Sequence, residues 1–262
     1  MSFETLLFDV AGGVATITIN RPDAANAMSP VMAAEIAEVA LRCDDDPGVR
    51  AVVITGAGRL FCAGGDLGAF AAAGDGAKSL IKKMATDLHV GLSRLARGTA
   101  PVIAAVNGTA AGAGFSLCMA TDLAIAAESA VFTMAYTRAG LSPDGGSTFH
   151  MPRKIGDRRT RELMLTNRVL TAAEALEWGI VNKVVADDEV LPESQALAAE
   201  LAAGPTLAFG AVKTLLNSTF DQSLEAQLEL ESRTIADMVT THDGQEGISA
   251  FLGKRQPGFT GS

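Results

Sequence analysis

Cysteine and histidine are scarce in this chain, with three of each among 262 residues. Cys43, Cys62 and Cys118 stand at irregular spacings, which argues against a disulfide framework and fits a reducing compartment. Neither CxxC nor HExxH occurs, so no metal site is expected. Positive charge is also in deficit. The formal net charge is −9, which makes nucleic acid an unfavourable partner. No low-complexity linker and no internal repeat interrupts the chain. The opening "MSFETLLFDV" has no basic segment of the kind that begins a signal peptide, and a cytoplasmic location is expected. Gly98 to Thr121 carries no charge and is long enough to span a bilayer. It contains Pro101, Asn107 and, at its middle, three glycines, however, so two buried elements joined by a turn are expected and no membrane partner.

What is abundant is apolar side chain and glycine: 48% hydrophobic residues and 27 glycines. That is ample for one large α/β core. "LLFDVAGGVATITINRP" predicts a hairpin around Gly12-Gly13. Ser29-Pro30 predicts a helix start, with Ser29 as cap. "RAVVITG" and "PVIAAV" read as buried strands, and residues 78–96 as an amphipathic helix. "AGRLFCAGGDLGAF" reads as a glycine-rich loop. From Gly146 onward the pattern reads as almost wholly helical. The expected division is a β-rich α/β core over 1–200 and a helical region over 201–262.

The stretch "VNGTAAGAGFSL", Val106 to Leu117, follows a strand and opens a helix. Unpaired N–H groups at a helix start, with little side chain in front of them, suit an anion or a developing oxyanion. The spacing of Gly108, Gly112 and Gly114 departs from GxGxxG. No GK[ST] is present, and "GFSLC" lacks the last glycine of a nucleophile elbow. Close packing of helix on strand explains the stretch equally well. A second loop, "FCAGGDL", also follows a strand and offers bare backbone at Gly64 and Gly65. Two such loops are able to aim one N–H each at a single oxygen.

Taken together, "NRPDAANAMS", "FCAGGDL", "VNGTAAGAGFSLCMATDLAIAAESAVF", "GLSPDGGSTFHMPRKIG", "LTAAEALEWGIVNKVV" and "AFLGKRQPGFTG" resemble the enoyl-CoA hydratase/isomerase family, the crotonase superfamily. The likeness spans nearly the whole chain, in the family's order. It implies a crotonase-like spiral of ββα units with a helical C-terminal trimerisation region. The implied assembly is a homotrimer or a dimer of trimers. The implied ligand is an acyl-CoA thioester, with coenzyme A as part of the substrate and no separate cofactor.

By the same resemblance, the N–H groups of Gly65 and Ala113 would form the oxyanion hole. Asp66 would brace its loop. Ala24, Ala25 and Ala27 would lie along coenzyme A, and Ala63, Leu67, Gly112 and Tyr136 would border the acyl thioester. Lys254, beside Arg255 and Phe251, would approach coenzyme A from its own or a neighbouring subunit. The two glutamates of family hydratases fall at Ser116 and Tyr136, so both carboxylates are missing and efficient hydration is not expected. Family isomerases resemble this chain in carrying an aspartate at Asp144, which is also placed to serve as a turn or capping residue. As a catalytic residue, Asp144 would move a double bond from 3-enoyl-CoA to 2-enoyl-CoA, with Phe70, Leu141 and Phe149 around its carboxyl. Isomerisation of an epoxidised aromatic acyl-CoA and non-catalytic acyl-CoA binding are the competing readings.

Overall fold

A computed structural model of the chain describes residues 3–262. Strands β1 (Leu6–Ala11) and β2 (Val14–Ile19) form the expected hairpin. Its turn residues Gly12 and Gly13 both have positive φ, 59° and 81°, the conformation that lets a two-residue turn follow the strand twist. Helix α1 (Pro30–Asp45) begins where expected: Ser29 Oγ accepts from Met32 N–H at 3.1 Å, and Pro30 fills the first position.

β3 (Ala51–Gly56) is buried throughout. It leads to the "FCAGGDL" loop and then to α2 (Leu67–Ala72) and α3 (Ala77–Arg97). β4 (Val102–Val106) leads to the two-residue β5 (Ala110–Ala111) and to α4 (Ala113–Ala120), which is wholly buried. β6 (Leu123–Ala127) and β7 (Val131–Thr133) precede α5 (Ser147–Ile155) and α6 (Asp157–Thr166). After β8 (Leu170–Thr171), α7 (Ala172–Glu177) and β9 (Lys183–Val185), the remainder is helical: α8 (Val190–Ala202), α9 (Thr206–Ser218), α10 (Leu224–Thr240) and α11 (His242–Leu252).

The main sheet has the order β1-β2-β3-β4-β6-β9, antiparallel at β1–β2 and parallel beyond. β5, β7 and β8 form a small second sheet. The core lies between these sheets and the packed faces of α1, α3 and α4, where Phe61, Phe115 and Phe132 are fully buried. Loops that leave β3 and β4 therefore emerge side by side at one sheet edge, the position where parallel sheets place ligands.

Two departures from the sequence reading have local causes. The second half of "AGRLFCAGGDLGAF" is not loop but α2, started by Asp66, whose carboxylate accepts from Ala69 N–H at 3.1 Å. The region after Gly146 is not purely helical, because β8 pairs with β7 and β9 with β6. Strands of two or three residues are too short to carry periodicity. The uncharged run from Gly98 divides, as expected, into buried elements, here β4, β5 and α4, and among the described residues no helix is long and apolar enough to cross a membrane.

At the C-terminal end, α10 buries no residue of its own and exposes Leu224, Leu228 and Ile235. The final residues fold back onto the core. Arg50 donates to the carbonyls of Gly204 and Phe259, and Asp243, only 2% exposed, accepts from the N–H groups of Thr260 and Gly261.

Candidate active site

The two glycine loops touch along their length. Cys62 and Ala110 pair as a parallel bridge: Cys62 N–H donates to Thr109 O, and Ala111 N–H donates to Cys62 O. A Cβ placed on Gly114 would lie 2.3 Å from the Cys62 carbonyl oxygen, and one on Gly108 2.1 Å from that of Arg59. Much of the smallness of "VNGTAAGAGFSL" is thus required by the neighbouring loop, not by a ligand. Gly112 has a further need: its φ of 48° with ψ of −120° is a conformation that side chains rarely adopt.

Among the N–H groups that the pairing leaves unbonded are those of Gly65 and Ala113. On one edge the first loop bonds to the "DAANA" segment: Ala63 N–H donates to Ala25 O, Met28 N–H to Gly64 O, and Asp66 N–H to Met28 O. Extended backbone alternates its N–H groups between sides, so the Gly65 N–H faces away from Met28. Among the described residues it donates to no group, and neither does the Ala113 N–H at the first position of α4. Gly65 and Ala113 each lie three residues beyond the Cys62–Ala110 bridge, and both line one cavity of about 300 Å³.

Apart from these loops, the cavity wall includes Ile81, Lys82, Met84, Ala85 and Leu88 of α3, with Leu67, Phe70 and Leu141. Ala63, Gly112, Tyr136 and Asp144 complete the set of expected residues that it gathers. Asp144 is the one carboxylate among its lining residues. Tyr136 Oη donates to Asp144 Oδ1 at 2.6 Å, and Ser116 Oγ lies 3.0 Å from the same phenol oxygen. Since the phenol has one proton, and the carboxylate takes it, Ser116 is the donor in the second contact. Burial, and then the charge of Asp144, push the Tyr136 phenol well above its ordinary value, so it stays a donor.

The N-cap position of α5 is Gly146, and Asp144 serves the preceding turn through its backbone. Its carbonyl accepts from Ser147 N–H and Ser147 Oγ–H, which leaves the carboxyl free to turn into the cavity. Asp66 does not line the cavity and instead braces its loop. It caps α2 and pairs with Arg21 at 3.1 Å, and the Ala69 N–H, then the Arg21 guanidinium, hold its carboxyl below the usual range. The loop as a whole is stapled by Asn26, fully buried, whose amide donates to the carbonyls of Ala57 and Leu60.

Several expected residues are not brought to the cavity. Ala24, Ala25 and Ala27 lie behind the Ala63–Gly65 loop and are not among its lining residues. Lys254 is exposed in the turn after α11, at a φ of 51°, and does not line the cavity of its own chain. Phe149 points elsewhere, with its ring under the Arg153 guanidinium at 3.5 Å. His89 was missed by sequence reading: its Nε2 accepts from Gly145 N–H at 3.1 Å, beside Asp144. No pattern links residues 56 apart, so nothing in the sequence signals this bond. A larger cavity of about 380 Å³, near Lys154, Lys213 and α9, contains none of the two glycine loops' residues.

A family model described as enoyl-CoA hydratase/isomerase matches residues 9–262. The chain belongs to this family. It is 40% identical over 261 residues, covering all of both chains, to a protein of Rhodobacter capsulatus named "Probable enoyl-CoA hydratase". It is 41% identical over 259 residues to the 1,2-epoxyphenylacetyl-CoA isomerase of Escherichia coli, covering 98% of this chain and 99% of that one. A crystal structure of an enoyl-CoA hydratase from Polaromonas sp. JS666 superposes with a TM-score of 0.93 at 35% identity, covering 97% of this chain and 99% of the other. The crotonase fold expected from the motifs is therefore the fold of this chain, and the relatives' names divide between hydratase and isomerase.

Proposed function

We propose that this chain is an acyl-CoA isomerase that converts 3-enoyl-CoA to 2-enoyl-CoA. The observation that carries this reading is the position of Asp144, the one carboxylate among the described residues that line the cavity, which Gly65 and Ala113 also line. The thioester oxygen takes the two N–H groups. Asp144 removes a proton from C2, and the electron pair moves into the thioester, giving a dienolate. The two amides stabilise the charge on oxygen, each worth roughly 3–4 kcal/mol in sites of this kind. Asp144 then returns the proton to C4, leaving the double bond between C2 and C3. One acid–base group serves both transfers because they occur on one face. Coenzyme A belongs to the substrate, and no other cofactor takes part. Exposed apolar residues on α10 support assembly as a homotrimer or a dimer of trimers.

Hydration is disfavoured because the places of the two hydratase glutamates hold Ser116 and Tyr136, bonded to one another. A second reading, isomerisation of an epoxidised aromatic acyl-CoA, is favoured by the 41% identity to 1,2-epoxyphenylacetyl-CoA isomerase. The same base and the same amides would serve it. The test is Asp144→Asn assayed with 3-hexenoyl-CoA. Loss of the conjugated product with retained affinity for the CoA ester supports the proposal, and unchanged turnover contradicts it. Wild-type turnover of an epoxidised aryl-acetyl-CoA but not of 3-hexenoyl-CoA would select the second reading.

A further inference from the structure

The loop that carries Asp144 is held on two sides. On one side, Gly145 packs against α4: a Cβ built on it would lie 2.8 Å from the Ser116 Cβ, and its φ is +61°. On the other side, the Gly145 N–H, on a buried residue, donates to His89 Nε2. To accept there, the imidazole must carry its proton on Nδ1. His89 follows Leu88 on α3, the helix whose Met84, Ala85 and Leu88 form the acyl wall of the cavity. A single acceptor thus ties the helix facing the acyl group to the peptide next to the acid.

We infer that His89 is a positioning residue for the proton transfer. It does not line the cavity and touches no reacting atom. Its imidazole holds the Asp144–Gly145 peptide in the orientation that aims the carboxyl at Tyr136 and the cavity. His89 is itself exposed, so without its imidazole the Gly145 N–H turns to water or another oxygen and takes the loop with it. A displacement of about 1 Å at the acid costs roughly a hundredfold in rate, whereas binding of coenzyme A, made by other loops, is insensitive to it. This inference rests on Asp144 as the acid–base group.

The experiment compares His89→Gln, His89→Ala and His89→Leu with wild type, using 3-hexenoyl-CoA and measuring kcat and KM separately. Glutamine brings an amide oxygen close to where Nε2 stands; alanine and leucine bring no acceptor. The expected result is a kcat at least tenfold lower for the alanine and leucine variants, KM within about twofold, and glutamine within about threefold of wild type. Circular dichroism and thermal unfolding of each variant show whether it is folded. Alanine and leucine variants with wild-type kcat would overturn the inference. So would a loss confined to KM, or a glutamine variant as slow as the other two. If Asp144→Asn is as active as wild type, or wild type itself does not isomerise the substrate, the acid assignment has failed and this inference falls with it. Failure of His89 alone leaves Asp144→Asn inactive and the His89 variants active.

Discussion

Tyr136 Oη stands 2.6 Å from Asp144 Oδ1, and its own oxygen accepts from Ser116. The two positions at which family hydratases carry glutamate have here become a hydroxyl chain that ends on the remaining acid. With a donor on Oδ1, the orientation of the carboxylate beside the cavity is fixed. Hydrogen bonds to a charged group contribute about 1.5–3 kcal/mol. Tyr136→Phe is therefore expected to lower isomerisation roughly ten- to hundredfold in kcat. The check is steady-state kinetics on the folded variant. Wild-type kcat in Tyr136→Phe would remove this role.

Hydration should be slow for the same reason. With neither glutamate present, general acid–base help worth about 10²–10⁴ is missing from water addition. Crotonyl-CoA is expected to lose its conjugated chromophore at a rate lower than isomerisation by a factor of that order. Comparable rates for the two reactions would show that water is activated by another group.

Acid should loosen the first glycine loop before it loosens the core. Asp66 has its carboxyl held below the ordinary range by Ala69 N–H and Arg21. In the unfolded chain an aspartate titrates near 3.9. The stabilisation is thus fully present above that pH and is lost as pH falls through the lower, folded value. Asp66→Asn keeps the cap acceptor and loses the ion pair. Its melting temperature should fall below wild type at pH 7, and the gap should narrow as pH falls below about 3.9. A gap independent of pH would contradict the assignment.

The Gly114 contact gives a prediction about stability alone. Its Cβ would meet the Cys62 carbonyl at 2.3 Å, backbone against backbone, where neither loop yields cheaply. Gly114→Ala is expected to cost about 1–3 kcal/mol, read as a lower melting temperature. Unchanged stability would mean that the loops separate easily.

Legibility in the sequence followed the range of each interaction. The hairpin at Gly12-Gly13 and the start of α1 at Ser29 depend on neighbours a few residues apart, and both were readable. The short strands β5, β8 and β9 depend on partners elsewhere in the sheets, and were not. Helix α2 had a visible signal, Asp66 three residues before the N–H that it caps, but surrounding glycines outweighed it. In the cavity, residues offered by a loop, such as Gly65, Ala113 and Asp144, could be located by motif. The partners that orient them could not. Asp144 to Tyr136 is a bond across a turn, and Gly145 to His89 crosses from one helix to a distant loop. The glycines of "VNGTAAGAGFSL" were noticed for the right property and the wrong neighbour, since most of them make room for the other loop.

The central claim is that Asp144 takes a proton from the carbon next to a thioester whose oxygen is held by Gly65 and Ala113. The most direct measurement is hydrogen–deuterium exchange at C2 of bound 3-hexenoyl-CoA in deuterium oxide, followed by mass spectrometry or NMR. The account predicts rapid exchange with wild type and exchange near the uncatalysed rate with Asp144→Asn, while both bind the ester. Equal exchange in the two proteins, or tight binding by wild type with no exchange, would contradict it.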